Sequence, residues 1–162
     1  MTDATPLTIY RDTVRPEWVD YNGHLRDAFY LLIFSFATDA LIDRIGLDDA
    51  TRQARGRSVY TLEAHVNYLH EIREGTPVRV DARVLAHDAK RMHLYFEMFA
   101  DGHDGPVSAS EQMLMHVATQ DGPKSAAFDP DVAEHVAALH ALQRDHAPPA
   151  FAGRVIALPA RR

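Results

Sequence analysis

A short polar stretch of the chain carries side chains that are suited to acid–base chemistry. Asp20, Asn22, Gly23 and His24 follow one another closely, just ahead of a long apolar segment. A carboxylate in a loop beside a buried helix can act as a nucleophile or as a general base. The alternative for Asp20 is a structural role, in which a loop aspartate binds neighbouring backbone N–H groups.

The residues after Asp20 offer further groups of this kind. Asn22 and Gly23 lie where we expect a helix to begin, and free backbone N–H groups at such a point can hold an anion or a developing oxyanion. A plain N-cap role for Asn22 needs the same geometry, so the two roles are compatible. His24 is a candidate for orienting Asp20 or contacting a substrate, although a histidine there can equally be a polar lining residue.

A second polar set alternates along a later segment. Glu63, His65 and Asn67 occupy alternate positions between residues 59 and 69, so a strand would place all three on one face. They are candidates for a polar wall of the site, with Glu63 or His65 as a second acid or base. The alternative is a strand face that is solvated or bonded within a subunit interface.

Glu111 interrupts an otherwise apolar strand face. Within residues 107–118 it shares its alternation with Val107, Ala109, Met113, Met115 and Val117. A carboxylate in such a position should be paired, and it could face a cationic ligand group with aromatic help from Trp18 or Tyr21. The alternatives are a strand end in solvent, a β-bulge that reverses its side, or a salt bridge.

Metal and cofactor chemistry find little support in the sequence. The chain has ten histidines, but it contains no His-Glu-x-x-His pattern and no Cys–His set. With no cysteine at all, thiolate metal sites and a cysteine nucleophile are excluded. No glycine-rich phosphate loop or serine nucleophile elbow occurs. We therefore expect neither a metal nor a cofactor.

Periodicity predicts the elements that must position these groups. Strands are expected where apolar residues alternate, over 7–14, 59–69, 78–86, 91–100 and 107–118. A long helix is expected from about His24 to Ile45, ended by Gly46, and a second helix over about 130–145. The polar residues of the long helix form one narrow stripe, Asp27, Ser35, Asp39 and Asp43. The predicted fold class is α+β, with one antiparallel sheet of about five strands wrapped around the long helix and a C-terminal helix closing the domain.

Two stretches of the chain resemble a known family. They are Trp18-Val19-Asp20-Tyr21-Asn22-Gly23-His24-Leu25-Arg26-Asp27-Ala28-Phe29-Tyr30 and Tyr68-Leu69-His70-Glu71-Ile72-Arg73-Glu74-Gly75. Both are similar to stretches of the hotdog-fold acyl-CoA thioesterases of the 4-hydroxybenzoyl-CoA thioesterase type. The residues from Pro16 to His24, with the tail Gly153 to Pro159, are most similar to the thioesterases of carnitine breakdown, which are thought to hydrolyse betainyl-CoA.

The resemblance implies a fold, a reaction and a partner. It implies a hotdog fold and hydrolysis of a small acyl-CoA thioester, with betainyl-CoA the preferred substrate. It also implies a homo-oligomer, dimer or tetramer, whose active sites are shared between subunits. An aromatic or medium-chain acyl-CoA is the alternative substrate, although Trp18 and Arg26 stand where the family often has other residues. A non-catalytic module that binds acyl-CoA is the alternative from another functional class.

The family places its catalytic carboxylate at the position of Asp20, and this assignment organises the candidate site. The candidate catalytic residues are Asp20 and His24. The candidate substrate-binding residues are Trp18, Tyr21, Asn22, Gly23, Asp27, Glu63, His65, Asn67 and Glu111.

Length, charge and hydropathy limit the number of domains, the partners and the location. The 162 residues support one domain, expected over residues 1–147, followed by a tail over 148–162. The net charge of −6 disfavours nucleic acid as a partner. The longest apolar run, residues 28–37, is too short to span a bilayer, and the N-terminus lacks the pattern of a signal peptide. We therefore expect no membrane partner and a cytoplasmic location.

Overall fold

The computed structural model describes residues 6–160, which form an α+β domain. Its strands are β1 (Leu7–Thr13), β2 (Arg57–Tyr68), β3 (Pro77–His87), β4 (Arg91–Ala100), β5 (Ser108–Ala118) and β6 (Lys124–Ser125). Its helices are α1 (Asp27–Arg44), α2 (Asp49–Arg55) and α3 (Pro130–Gln143), and a single 3₁₀ turn covers Pro16–Trp18. The five predicted strands and both predicted helices are confirmed. The two-residue β6 and the short α2 were not predicted.

One antiparallel sheet curls around α1. Its strand order is β1-β3-β4-β5-β2, with β6 paired to β5. The face toward α1, called the inner face here, carries four large buried side chains of β4, namely Met92, Leu94, Phe96 and Met98. This set is the one that the alternation of β4 predicts. The exposed stripe of α1 consists of Asp27, Leu31, Ser35, Asp39 and Asp43, so the predicted polar stripe points away from the sheet.

A β-bulge in β2 breaks the predicted alternation. Thr61 pairs with Leu114 and Glu63 with Met113, so Leu62 has no cross-strand partner of its own. Because cross-strand partners share a face, the extra residue reverses the side to which the strand's side chains point. Tyr60 therefore lies on the outer face, whereas Val66 lies on the inner face. The prediction that all even positions of this strand share one face was wrong.

Helix α1 begins later than its apolar pattern predicts. It starts at Asp27 instead of His24, and its N-cap residue, Arg26, makes no side-chain capping bond. Backbone bonds from Leu25 N to Ile72 O and from Arg26 N to Trp18 O hold the preceding residues outside the helix. The C-terminal prediction is confirmed, because Gly46 follows the last turn with a φ of +95°.

The segment after α3 returns across the outer face of the sheet. The Gln143 side chain first closes the edge of β3, accepting a hydrogen bond from Val84 N and donating one to Ala82 O. Arg83 Nη1 then donates to Ala147 O at 2.7 Å. Gly153 N donates to Glu111 Oε2 at 2.6 Å. The expected tail is thus held against this chain's own sheet as far as Gly153.

Strand β2 forms an open edge of the sheet. Three large side chains of this strand are exposed in the single chain: Tyr60 by 44%, Leu62 by 52% and Tyr68 by 54%. The resemblance implies that this strand meets its counterpart in a second subunit. Within residues 6–160, no helix is both long enough and apolar enough to cross a membrane.

Candidate active site

The carboxylate of Asp20 is held by the turn that follows it. Oδ1 accepts hydrogen bonds from Asn22 N at 2.8 Å and from His24 N at 3.1 Å. Within the described residues, no group donates a hydrogen bond to Oδ2. The local bonding that is typical of a loop aspartate is therefore present, and it leaves one carboxylate oxygen available.

Backbone bonds fix this turn against the start of β3. Asp20 N donates to His24 O, and Glu74 N donates to Gly23 O. Gly23 has a φ of +76°, a conformation that glycine adopts without the steric cost that a side chain would add. The turn thus positions Asp20 through main-chain contacts alone.

The same turn keeps Asp20 ionised. The backbone N–H of His24 is the largest influence that lowers the pKa of Asp20, and the N–H of Asn22 acts in the same direction. Partial desolvation opposes them without reversing the direction. A carboxylate is the form of aspartate that can attack a carbon or take a proton from water.

The expected oxyanion donors are already occupied. Asn22 N is bonded to Asp20 Oδ1, and Gly23 N to Asp20 O, so the prediction that these two N–H groups lie free at a helix start was wrong. Asn22 is also not an N-cap, because α1 begins five residues later. Within residues 6–160, the first-turn N–H of Asp27 has no acceptor, whereas Ala28 N donates to Asp27 Oδ1.

The two aromatic residues near Asp20 lie in different environments. Trp18 is only 4% exposed, and its ring packs against that of Phe29, with centroids 6.1 Å apart. The guanidinium of Arg15 covers its other side, 4.6 Å from the ring centroid. Trp18 is therefore a core residue, which argues against the predicted substrate contact. Tyr21 is 93% exposed and free to contact a ligand.

A small cavity adjoins this turn. Its volume is about 260 Å³, and it is lined by Leu25, Asp27, Tyr30, Tyr68, Leu69, His70 and Glu71. Leu25 bridges to Val19, which directly precedes Asp20. His24 Nδ1 lies 3.6 Å from Glu71 Oε2 at the same end. His24 thus lies near Glu71, and Asp27 lines the cavity, whereas Asp20 is not a lining residue.

The remaining candidates lie on the outer face. Glu63, His65 and Asn67 pair with Met113, Glu111 and Ala109 of β5, whose side chains point away from α1. Glu111 Oε1 lies 2.6 Å from His93 Nε2, and Asn67 Nδ2 lies 3.4 Å from His65 Nε2. Glu111 is therefore paired in a salt bridge, one of the alternatives considered for it. Among the residues that the structure describes, none of these four lines the cavity beside α1.

Sequence reasoning assigned no role to three residues that line the cavity. Tyr30, Tyr68 and Glu71 come together there from α1, from the end of β2 and from the following turn. Tyr30 and Tyr68 both fall within the stretches that carried the family resemblance. That resemblance was the only signal available, because the two rings approach each other only when β2 folds against α1.

The comparisons with known proteins give the class first. A Staphylococcus aureus protein described as hypothetical, determined in complex with CoA, superimposes with a TM-score of 0.87 at 29% identity, covering 95% of this chain and 97% of the other. The fold is the hotdog fold, as expected. The model of the thioesterase-like superfamily matches residues 14–136. The chain belongs to this family and is a thioester hydrolase.

Two curated relatives indicate which kind of thioester hydrolase the chain resembles. A betainyl-CoA thioesterase of Pseudomonas aeruginosa is 52% identical over 153 residues, covering 94% of this chain and 96% of the relative. An L-carnitine dehydrogenase/betainyl-CoA thioesterase of Agrobacterium fabrum is 41% identical over 116 residues, covering 71% of this chain but only 23% of that longer protein.

Proposed function

We propose that this protein hydrolyses betainyl-CoA to betaine and CoA, with Asp20 as the group that acts on the thioester. The substrate is supported by the relative that matches nearly the whole chain and is named for it. The observation that carries the assignment of Asp20 is its carboxylate geometry. Oδ1 is anchored by two N–H groups, and no group within residues 6–160 donates a hydrogen bond to Oδ2. The preceding residue, Val19, bridges to Leu25, which lines the cavity.

Two routes use this carboxylate. In the first, Asp20 attacks the thioester carbon, the CoA thiolate leaves and takes a proton, and water then opens the resulting anhydride. In the second, Asp20 takes a proton from a water molecule that attacks the same carbon directly. Both routes consume one water and release the free acid and the thiol of CoA.

The developing charge on the thioester oxygen needs a donor. Of the first-turn N–H groups of α1, that of Asp27 has no acceptor within residues 6–160, and the amino end of a helix favours negative charge. We therefore assign this donor role to Asp27 N–H. We assign to His24 the role of orienting Asp20, supported by the hydrogen bond from its backbone N–H to Asp20 Oδ1.

We also propose a homodimer that joins the β2 strands of two chains. The support is the open β2 edge, where Leu62 and its neighbours are exposed in a single chain. Leu62→Glu should shift the mass in solution from about 36 kDa toward the 18.2 kDa of one chain. Asp39→Glu, at an exposed position outside this edge, is the control.

Because CoA thioesters are polar anions that do not cross a bilayer, we place the enzyme in the cytoplasm.

The substrate proposal is tested by release of the CoA thiol. Betainyl-, acetyl-, octanoyl- and 4-hydroxybenzoyl-CoA are assayed in parallel, and we expect the highest kcat/KM for betainyl-CoA. Preference for the octanoyl or hydroxybenzoyl thioester would replace the substrate and keep the reaction. No turnover of any thioester would overturn the enzymatic function and favour a binding module.

A further inference from the structure

We propose that the cavity beside α1 is a recess for a quaternary ammonium group, with Tyr30 and Tyr68 as its aromatic walls and Asp27 and Glu71 as its counter-charges. The inference rests on the proposed function, and it names the residues that select the acyl group.

The two tyrosines form a rigid aromatic corner. Their ring centroids are 5.3 Å apart with an angle of 83° between the ring planes. Tyr30 Oη donates to His70 O at 2.9 Å, and Tyr68 Oη donates to Asp27 O at 3.2 Å. Because both hydroxyls are tied to backbone carbonyls, the ring faces are held in place. An alkylated ammonium group has no N–H to donate, and aromatic faces attract it through their quadrupole.

Negative charge surrounds this corner. The lining contains the carboxylates of Asp27 and Glu71 but no lysine or arginine. Burial is the largest influence that raises the pKa of Tyr68, and the charge of Asp27 adds to it. Burial likewise raises the pKa of Tyr30 to about 12, with Glu71 acting in the same direction. The charge of Asp27 thus acts on one phenol and that of Glu71 on the other, and negative charge close to the rings favours a cation there.

Size and distance agree with the same ligand. A volume of about 260 Å³ is below the ~300–1,000 Å³ typical of sites for larger ligands, which agrees with a compact acyl group. In a betainyl thioester the nitrogen is two bonds from the thioester carbon. The ammonium recess must therefore adjoin the groups that act on that carbon. Here Asp27 contributes its carboxylate to the recess and the proposed donor N–H to the thioester oxygen.

The test compares two thioesters that differ in one atom. Betainyl-CoA carries a trimethylammonium group, and 3,3-dimethylbutanoyl-CoA carries a tert-butyl group of the same shape. We expect the protein to prefer the cation in kcat/KM. Tyr68→Leu should reduce this preference by about 3- to 30-fold, the range expected for a cation–π contact. Glu71→Gln should reduce it by about 1.5- to 5-fold, the range expected for an exposed ion pair. Tyr68→Phe, which retains the ring, should keep it.

Control variants separate the recess from other effects. Glu134→Gln neutralises an exposed carboxylate on α3, away from the recess and from the β2 edge, and should leave the preference unaltered. If Tyr68→Leu fails to fold, Glu71→Gln still decides the matter, because the Glu71 side chain is 80% exposed. Equal kcat/KM of the native protein for the two thioesters, or an unchanged preference in both Tyr68→Leu and Glu71→Gln, would overturn the recess. Hydrolysis of neither thioester would instead overturn the proposed function.

Discussion

Asp20 and Glu111 are both carboxylates with a histidine close by, yet the structure uses them differently. Asp20 Oδ1 is bonded to two backbone N–H groups, and no described residue donates to Oδ2. Glu111 has both oxygens engaged, one with His93 Nε2 and one with Gly153 N, each at 2.6 Å. The first carboxylate borders an open turn, and the second lies beneath the returning tail.

The contrast shows what makes a carboxylate available for chemistry. Backbone N–H groups hold Asp20 in its charged form without covering it, so its free oxygen can meet a substrate. The imidazole of His93 binds one oxygen of Glu111 and the tail amide binds the other, so this carboxylate joins the tail to the sheet. An acidic residue next to a histidine is therefore not sufficient to mark an active site.

The largest effect should come from removing the Asp20 charge. Asp20→Asn retains an oxygen that can accept from Asn22 N and His24 N, so the turn should persist. We expect kcat/KM to fall by about 10²- to 10⁴-fold, because the open oxygen loses its basicity. Thiol release measures the loss, and urea unfolding checks that the fold remains. Turnover by the Asp20→Asn variant within threefold of the native rate would remove Asp20 from the reaction.

The ionisation of Asp20 provides the second test. Because its pKa is lowered from 3.8, the ionised form and its contribution to stability persist above that value and are lost as the pH falls through the lowered pKa. Carboxyl-carbon NMR, with the resonance assigned by its disappearance in Asp20→Asn, should give a midpoint below 3.8. A midpoint above about 5 would contradict the geometry of the turn.

Glu111→Gln should lower the free energy of unfolding and leave catalysis nearly unchanged. The amide can still accept from Gly153 N but loses the charged contact with His93, so we expect the free energy of unfolding to fall by about 1–3 kcal/mol. Urea unfolding measures this change, and kcat/KM should stay within threefold of native. Glu63→Gln, an exposed carboxylate on the same face, should cost less than about 0.5 kcal/mol. A large loss of turnover in the Glu111→Gln variant would return Glu111 to the active site.

The smallest effect concerns the tail. Gly153 has a φ of +67° with open space around the position of a Cβ atom, so Gly153→Ala introduces backbone strain of about 1–2 kcal/mol but no clash. Tryptic cleavage after Arg154 should accelerate, while thiol release stays unchanged. Gly105→Ala, at a glycine that also has open space but no positive φ, should leave cleavage unchanged. Equal cleavage rates in the two variants would show that Gly153 does not hold the tail.

Much of the fold could be predicted from local pattern. Alternation in β4 correctly placed Met92 and Phe96 on the inner face, and Gly46 correctly marked the end of α1. The errors arose where hydrogen bonds to other parts of the chain changed the structure that the local sequence pattern predicts. The bulge at Leu62 reversed the side to which the side chains of β2 point. Backbone bonds to Trp18 and Ile72 moved the start of α1 from the predicted His24 to Asp27. Neither constraint is visible in the residues concerned, because each depends on a partner distant in sequence.

The candidate site was only partly predicted, again because some of its contacts depend on partners distant in sequence. Resemblance directed attention to Asp20 and His24, which are close in the chain and are brought together by one turn. Glu63 was proposed from its strand face and Glu111 from its apolar neighbours, and the sheet places both on its outer face. Trp18 was offered as a ligand contact, but Phe29 and Arg15 enclose it.

The sequence by itself determined the five long strands, the two long helices, the loop position of Asp20 and the family to which the chain belongs, because periodicity and motifs are properties of near neighbours. Only the tertiary structure decided which carboxylate stays open and which is enclosed. It also brought Tyr30 of α1 against Tyr68 of β2, residues 38 positions apart in the printed sequence. Strand pairing and helix packing set these distances, and neither is encoded in a local pattern.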